Sequence, residues 1–322
     1  MTDKAAGGAL AVAGLIATAL LWGAMIPMTH VLATKHIDPF FMSAIRYLIP
    51  APLLIGMVLV FDRASPFRAP VPWAVVAKLG FVMACFSIFY TVGIMLSEPV
   101  RAAIAMSCGP LVAALMTKLM LRVPLARGFW PAAICAVIGA ALVALDAVRP
   151  KAGGPGEFSY LGEAMLVGAM ASWSFYSLKV QAWLAPLGWS NMRITCLTSL
   201  AGGLLICGLF VVLATITPAR LPTEMPSPAA LGMLAWVGIG GAGLAILFWN
   251  YGVSHVGVPV ATLYTSLAPV FSVVVAALFF GSTITLQQVA GGVLILAGVI
   301  RMQWLGVQAA QARQKAAAQK MV

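Results

Sequence analysis

Trp173, Tyr176 and Ser177 fall at i, i+3 and i+4, so a helix through them carries two aromatic rings and a hydroxyl on one face. Such a face suits a planar apolar ring, each well-formed aromatic pair being worth ~0.5–1.5 kcal/mol. Asn250, in the middle of an apolar stretch, adds an amide that can bind a carboxylate or an ammonium, as can neighbouring hydroxyls. Bond-making chemistry is not indicated. The three His and eight acidic residues are scattered, so no cluster suggests a metal, a general acid–base pair or a nucleophile. Cys85, Cys108, Cys135, Cys196 and Cys207 lie in apolar stretches without CxxC spacing and read as packing residues. No cofactor and no metal are expected.

The elements that hold these groups are dictated by composition. Of 322 residues, 62% are hydrophobic and 8% charged, and the mean hydropathy is +1.02. That excludes a soluble globular enzyme and a disordered chain. The apolar content suits about ten spans of ~20 residues across a core ~30 Å thick. Breaks in apolarity place them at 10–34, 40–61, 73–96, 99–121, 128–145, 159–184, 190–213, 229–253, 257–280 and 285–305. The apolar run from Ala9 to Thr34 exceeds a signal-peptide core and is kept as the first span. The stretch DAVRPKAGGPGEF, rich in Pro, Gly and charge, marks a linker. The expected organisation is a first repeat at 9–146, a linker at 147–158, a second repeat at 159–305 and a basic, solvated cytoplasmic tail at 306–322.

The net charge of +11 reads as membrane topology, not nucleic-acid binding. With the N-terminus in the cytoplasm, thirteen Lys and Arg fall inside and six (Lys35, Arg46, Arg101, Arg149, Lys151, Arg220) outside, so both termini are expected inside. Sliding the chain by 159 residues superposes Phe89 on Phe248, Gly93 on Gly252, Ser107 on Ser266, Pro110 on Pro269 and Gly139 on Gly298. Each half has an odd number of spans, so the second enters from the opposite face. The expected fold is all-α, with ten transmembrane helices as two inverted five-helix repeats, an arrangement that underlies many alternating-access transporters. Pro110 and Pro269, in mid-span, each free a carbonyl and are expected to be hinges or kinks.

The chain resembles the EamA family of the drug/metabolite transporter superfamily. The resemblance is carried by Trp22-Gly23 followed by Pro27, Arg46-Tyr47, Pro110, Ala268-Pro269, and Gly162-Glu163 with Trp173, Tyr176 and Lys179. Within the family it is most similar to bacterial inner-membrane aromatic amino acid exporters. Gly-Glu often follows the fourth and ninth spans of such proteins; here those positions read Arg122-Val123 and Gly281-Ser282, so no role of that Glu carries over. The resemblance implies a cavity among the first, third, fourth, sixth, eighth and ninth spans. Its lining candidates are Trp22, Met25, His30, Tyr90, Thr91, Trp173, Ser174, Tyr176, Ser177, Trp249, Asn250, Tyr264 and Ser266. The implied function is export of amino acids, aromatic ones foremost, or related small metabolites across the bacterial inner membrane.

Charge placement bears on coupling. A central unpaired charge costs ~2.5–3.5 kcal/mol on insertion scales, and none is evident. Arg46, about two turns into the second span, is explained by snorkelling. Glu163 sits a turn from the end of its span, where pairing with His30 or Arg46 is open. Export driven by the solute gradient follows. Drug or other metabolite export is the alternative within the class. A lipid-modifying intramembrane enzyme lacks its cluster of polar catalysts, and a channel lacks a charged ring or filter-like sequence.

Overall fold

The computed structural model describes residues 2–34, 38–62, 71–96, 105–106, 108–122, 125, 128–147, 160–217, 226–281 and 283–319. The linker beyond residue 147, Ser107, and the side chains of Pro27 and His30 lie outside the described residues. Everything described is helix, turn or connection, with no strand.

The helices are α1 (Thr2–Thr34), α2 (Pro39–Leu48), α3 (Ala51–Phe61), α4 (Trp73–Leu96), α5 (Gly109–Leu121) and α6 (Phe129–Ala147) in the first half. The second half has α7 (Leu161–Trp183), α8 (Asn191–Ile216), α9 (Pro228–Ala235), α10 (Ala245–Val256), α11 (Val258–Thr265), α12 (Ala268–Phe280) and α13 (Leu286–Gln319). A π-helical segment, Trp236–Leu244, joins α9 to α10. Among the described residues six segments are long and apolar enough to cross a membrane: Gly7–Met25, Phe40–Phe61, Trp73–Gly93, Asn191–Ile216, Pro228–Val256 and Val258–Phe279. Gly109–Leu121, Phe129–Val143 and Leu286–Met302 are shorter apolar helices. The expected span 159–184 corresponds to α7, more polar than these because it carries Glu163, three serines and Lys179.

Starts and breaks have local causes. Asp38 caps α2 by accepting from Phe40 N at 2.8 Å and Phe41 N at 3.1 Å, with Pro39 in the first turn. Ser190 caps α8 by accepting from Arg193 N at 3.1 Å. One expected span is broken at Ile49–Pro50 and another at Ser266–Leu267. Through the tail, α13 continues to Gln319, because residues 307–319 hold strong helix formers and no Gly or Pro.

The two halves repeat each other in coordinates as in sequence. Helices α5 and α12 begin and end at positions related by the 159-residue shift. Ahead of each, a tightened turn closes the same way, Cys108 N to Ala105 O at 3.2 Å and Leu267 N to Tyr264 O at 3.0 Å. Packing between the halves pairs α1 with α10 and α4 with α7, α1 with α12 and α5 with α7, α6 with α13, and α2 with α8. Each pairing has its counterpart under exchange of the repeats, as a two-repeat architecture requires.

Lipid does not drive helices together as water does, so close van der Waals packing must. At the α6–α13 seam a Cβ on Gly139 would sit 2.5 Å from Gly291 O, and one on Gly291 2.6 Å from Gly139 O. Only bare backbone fits. The outer surface carries Phe61, Phe81, Leu119, Leu278 and Phe279, all more than half exposed, as hydrocarbon surroundings favour.

Both α5 and α12 end on a left-handed residue, Arg122 at φ 53° and Gly281 at φ 67°. Glycine adopts that geometry freely, whereas an L side chain is strained by ~1–2 kcal/mol. Arg122→Gly is therefore expected to stabilise the protein by about 1 kcal/mol and Gly281→Ala to destabilise it by a similar amount, read from melting temperatures of detergent-purified protein.

Candidate functional site

The centre of the bundle is an aromatic cluster contributed by both halves. The indoles of Trp22 (α1), Trp173 (α7) and Trp249 (α10) form a triangle with ring centroids 5.5, 5.7 and 5.7 Å apart. Trp173 also stacks on Tyr176 at 5.3 Å and meets Phe86 of α4 at 5.2 Å, and Phe86 stacks on Tyr90 at 5.9 Å. Under the 159-residue shift Tyr90 and Trp249 are counterparts, as are Thr91 and Asn250. A ring held between two others would need them about 7 Å apart. The indoles as they stand leave no slot for a further ring between them.

Each indole is anchored differently. Trp22 Nε1 donates to Gly241 O at 2.9 Å, a carbonyl within the π-helical segment. Thr18 of α1 donates to Gly14 O at 2.9 Å and to Ala245 O at 3.1 Å, just beyond that segment. Trp249 Nε1 donates to Ser177 Oγ at 2.9 Å, and the Ser177 hydroxyl in turn donates to Trp173 O at 2.9 Å. The buried Trp173 Nε1 has no hydrogen-bond acceptor among the described residues. That is a spare donor inside a low-dielectric interior, where an unsatisfied polar group costs ~1–3 kcal/mol.

Beside the triangle runs a neutral relay. Asn250 Nδ2 donates to Thr195 Oγ1 at 2.9 Å and to Tyr176 OH at 3.3 Å. Thr198 donates to Ile194 O at 2.7 Å, so Tyr176 donates to Thr198 at 2.9 Å. Asn250 is 1% exposed and its Oδ1 has no partner among the described residues. In the first half the counterpart is Ser43 of α2, which shares a 3.2 Å hydrogen bond with Thr91.

The sequence candidates separate accordingly. The structure brings together Trp22, Trp173, Tyr176, Ser177, Trp249 and Asn250, with Tyr90 reached through Phe86. Met25 packs with Leu32, Met42, Leu234 and Val237, and lies against Gly241 of the π-helical segment. Ser174 turns its hydroxyl back to Met170 O at 2.8 Å. Tyr264 and Ser266 are buried at the break between α11 and α12. Pro110 and Pro269 each lie in the first turn of α5 or α12, where a missing N–H costs no hydrogen bond.

Arg46 does not snorkel. It is 8% exposed, lies over the Tyr47 ring at 5.1 Å and donates to Ser87 Oγ at 3.2 Å, not to Glu163. Phe86, Thr195, Thr198 and the π-helical segment are further site elements absent from the sequence candidates. Phe86 is signalled one turn before Tyr90; the two threonines lie on α8, outside the spans implied to line the cavity. A separate open cavity of about 450 Å³ between α4 and α7, lined by Lys78, Phe81, Phe175 and Trp183, shares no residue with the cluster.

The EamA-like transporter family matches residues 9–145 and 160–302, which is nearly the whole chain in two copies. The chain belongs to that family. Two relatives from Bacillus subtilis (strain 168) are uncharacterised transporters. YrdR is 24% identical over 310 residues, 88% of each chain, and YyaM is 22% identical over 219 residues, 67% of this chain and 68% of its own. A probable terminal-alkyne amino-acid exporter from Streptantibioticus cattleyicolor is 35% identical over 87 residues, 27% of this chain and 29% of its own. A solved crystal structure superposes with a TM-score of 0.74 at 19% identity, over 90% of this chain and 94% of that one. This EamA transporter is thus an all-helical, multi-pass membrane protein.

Ser177→Ala is expected to orphan the Trp249 indole N–H and destabilise the transporter by about 1–3 kcal/mol. Ser177→Thr keeps the acceptor and is expected to cost less. Thermal melts with tryptophan fluorescence as the readout check both.

Proposed function

We propose that this protein exports amino acids with aromatic side chains, or closely related metabolites, from the bacterial cytoplasm by alternating access. The observation that carries this reading is the Trp22–Trp173–Trp249 triangle lying beside a buried amide with an unspent acceptor, Asn250 Oδ1. The indoles suit a planar apolar ring, and the amide oxygen suits the ammonium of a zwitterion. The exporter among the relatives is described as one for an amino acid, over a short matched stretch, which agrees in class.

In this reading the helices form ten spans in two inverted repeats, 9–146 and 159–305, joined by the linker at 147–158. Both termini are cytoplasmic and the bilayer is the inner membrane. Support comes from the matched caps, turns and left-handed ends of the two halves together with the Lys/Arg bias. Reporter fusions at residue 1 and residue 322 are expected to report the cytoplasm at both ends; opposite faces would refute the inverted repeat.

No carboxylate joins the cluster among the described residues, and Glu163 lies in the first turn of α7. Transport therefore follows the solute gradient. In proteoliposomes, the protein is expected to carry phenylalanine, tyrosine or tryptophan in preference to small aliphatic amino acids. Trp173→Ala is expected to raise KM about two- to tenfold, the worth of one or two ring contacts, and Glu163→Gln to leave the rate unchanged. Preference for bulky planar drugs over every amino acid would place the protein in the drug-export branch instead.

A further inference from the structure

Among the described residues the Arg46 guanidinium is a cation sealed into the interior with no anion to meet it. It is 8% exposed. Among the described residues it forms no ion pair: its partners are a neutral hydroxyl, Ser87 Oγ at 3.2 Å, and the face of the Tyr47 ring. Its Nε–H is buried and unspent. It stands six residues into the Phe40–Phe61 span, about 9 Å along the helix axis at 1.5 Å per residue. A charge so placed is costly and, where it persists, marks a solute pathway or a partner that arrives and leaves. A guanidinium offers five donors in a planar fork matched to a carboxylate or phosphate oxygen pair.

Its surroundings tie it to the aromatic cluster. Two rungs join α2 to α4, Arg46 to Ser87 and Ser43 to Thr91, one helical turn apart. Phe86, adjacent to Ser87, touches Trp173, and Tyr90 stacks on Phe86. The residue at the equivalent distance from the α8 cap Ser190 is Thr198, which sits in the neutral relay through Tyr176 to Asn250. One repeat thus offers a cation beside the rings and the other an unfilled amide acceptor.

We propose that Arg46 binds the carboxylate of the transported solute, so that the solute is an aromatic carboxylic acid or amino acid and not an aromatic amine. This rests on the amino acid reading above and sharpens it. The bound carboxylate takes the Nε edge of the guanidinium, the ring meets the indoles, and release restores the Ser87 contact alone. A simple strut between α2 and α4 needs a hydrogen-bond donor at this position, but no selectivity for anions.

The test compares ligands that differ only in the charged ends. Purified full-length protein is melted in detergent with L-phenylalanine, phenylacetate, L-phenylalanine methyl ester or phenethylamine, and the same compounds are used as competitors of phenylalanine counterflow. The two carboxylates are expected to stabilise the wild type and to compete at least about tenfold better than the ester and the amine, the scale of a charge-assisted hydrogen bond. Arg46→Gln is expected to erase that preference while leaving the weak response to the amine; Arg46→Lys, which keeps the charge, is expected to retain part of it. Ester and amine matching the acids in the wild type, or a preference that survives in Arg46→Gln, would overturn the assignment. The wild-type comparison needs no variant, so it stands even if Arg46→Gln fails to fold. Stabilisation by phenylacetate but not by phenylalanine would overturn the amino acid reading and keep the carboxylate site. Failure of all four ligands to bind would overturn both.

Discussion

Two helices in hydrocarbon gain nothing by hiding apolar surface from solvent, because the solvent is apolar too. What holds this chain in one arrangement is close approach across the boundary between its halves. The α6–α13 seam shows the constraint in its barest form, with Gly139 and Gly291 each lying against the other's carbonyl. The larger contacts between the halves are laid on that framework, and they come as pairs related by exchange of the repeats, α1 on α10 matching α4 on α7 and α1 on α12 matching α5 on α7. At the centre, where α1, α4, α7 and α10 meet, the filling is no longer backbone but rings. Rings in contact can part and re-form at small cost, whereas interlocked backbones cannot. The periphery is thereby the scaffold and the middle the adjustable region.

The repeats share a scaffold but not their polar groups. Tyr90 and Trp249 hold equivalent places, as do Thr91 and Asn250, and Ser43 and Thr195 stand at equal distances from their helix caps. Arg46 has Thr198 as its counterpart. A pocket with identical groups on both sides could not tell the two ends of a zwitterion apart; divergence on a common frame supplies unlike ends. The π-helical segment breaks the symmetry further. Its counterpart, residues 77–85, lies within the unbroken α4, while Trp236–Leu244 presents Gly241 O to the Trp22 indole. Such segments recur at functional positions because they free backbone groups that a regular helix consumes.

Much of the architecture was legible along the chain because a bilayer restricts the choices so severely. Spans such as 73–96 and 190–213 lie close to α4 and α8, since long apolar stretches between polar breaks can only be helices there. The repeat was visible in Pro110 and Pro269 because proline is tolerated at few positions. That each proline stands in the first turn of its helix depends on the turns before them. The cap residues Asp38 and Ser190 are local signals; the π-helical segment is not, since its four glycines look like ordinary packing residues until their neighbours are seen.

The site was half legible. Trp173, Tyr176 and Ser177 declare their common face through helical spacing, a property of one segment. Which face meets another is a property of several, and so Thr195 and Thr198 gave no sign, while Met25 packs against Val237 and not within the ring cluster. Arg46 is the clearest case. Its long stem permits either escape to the interface or burial, and residue type and depth are compatible with both. Composition determined an all-helical membrane chain, because hydrocarbon leaves long apolar stretches little else to become, and the 159-residue self-match showed it to be duplicated. Only the packing of α2 on α4 decided that the guanidinium turns inward, because that choice depends on whether Ser87 and the Tyr47 ring stand where its donors and its charge can reach them.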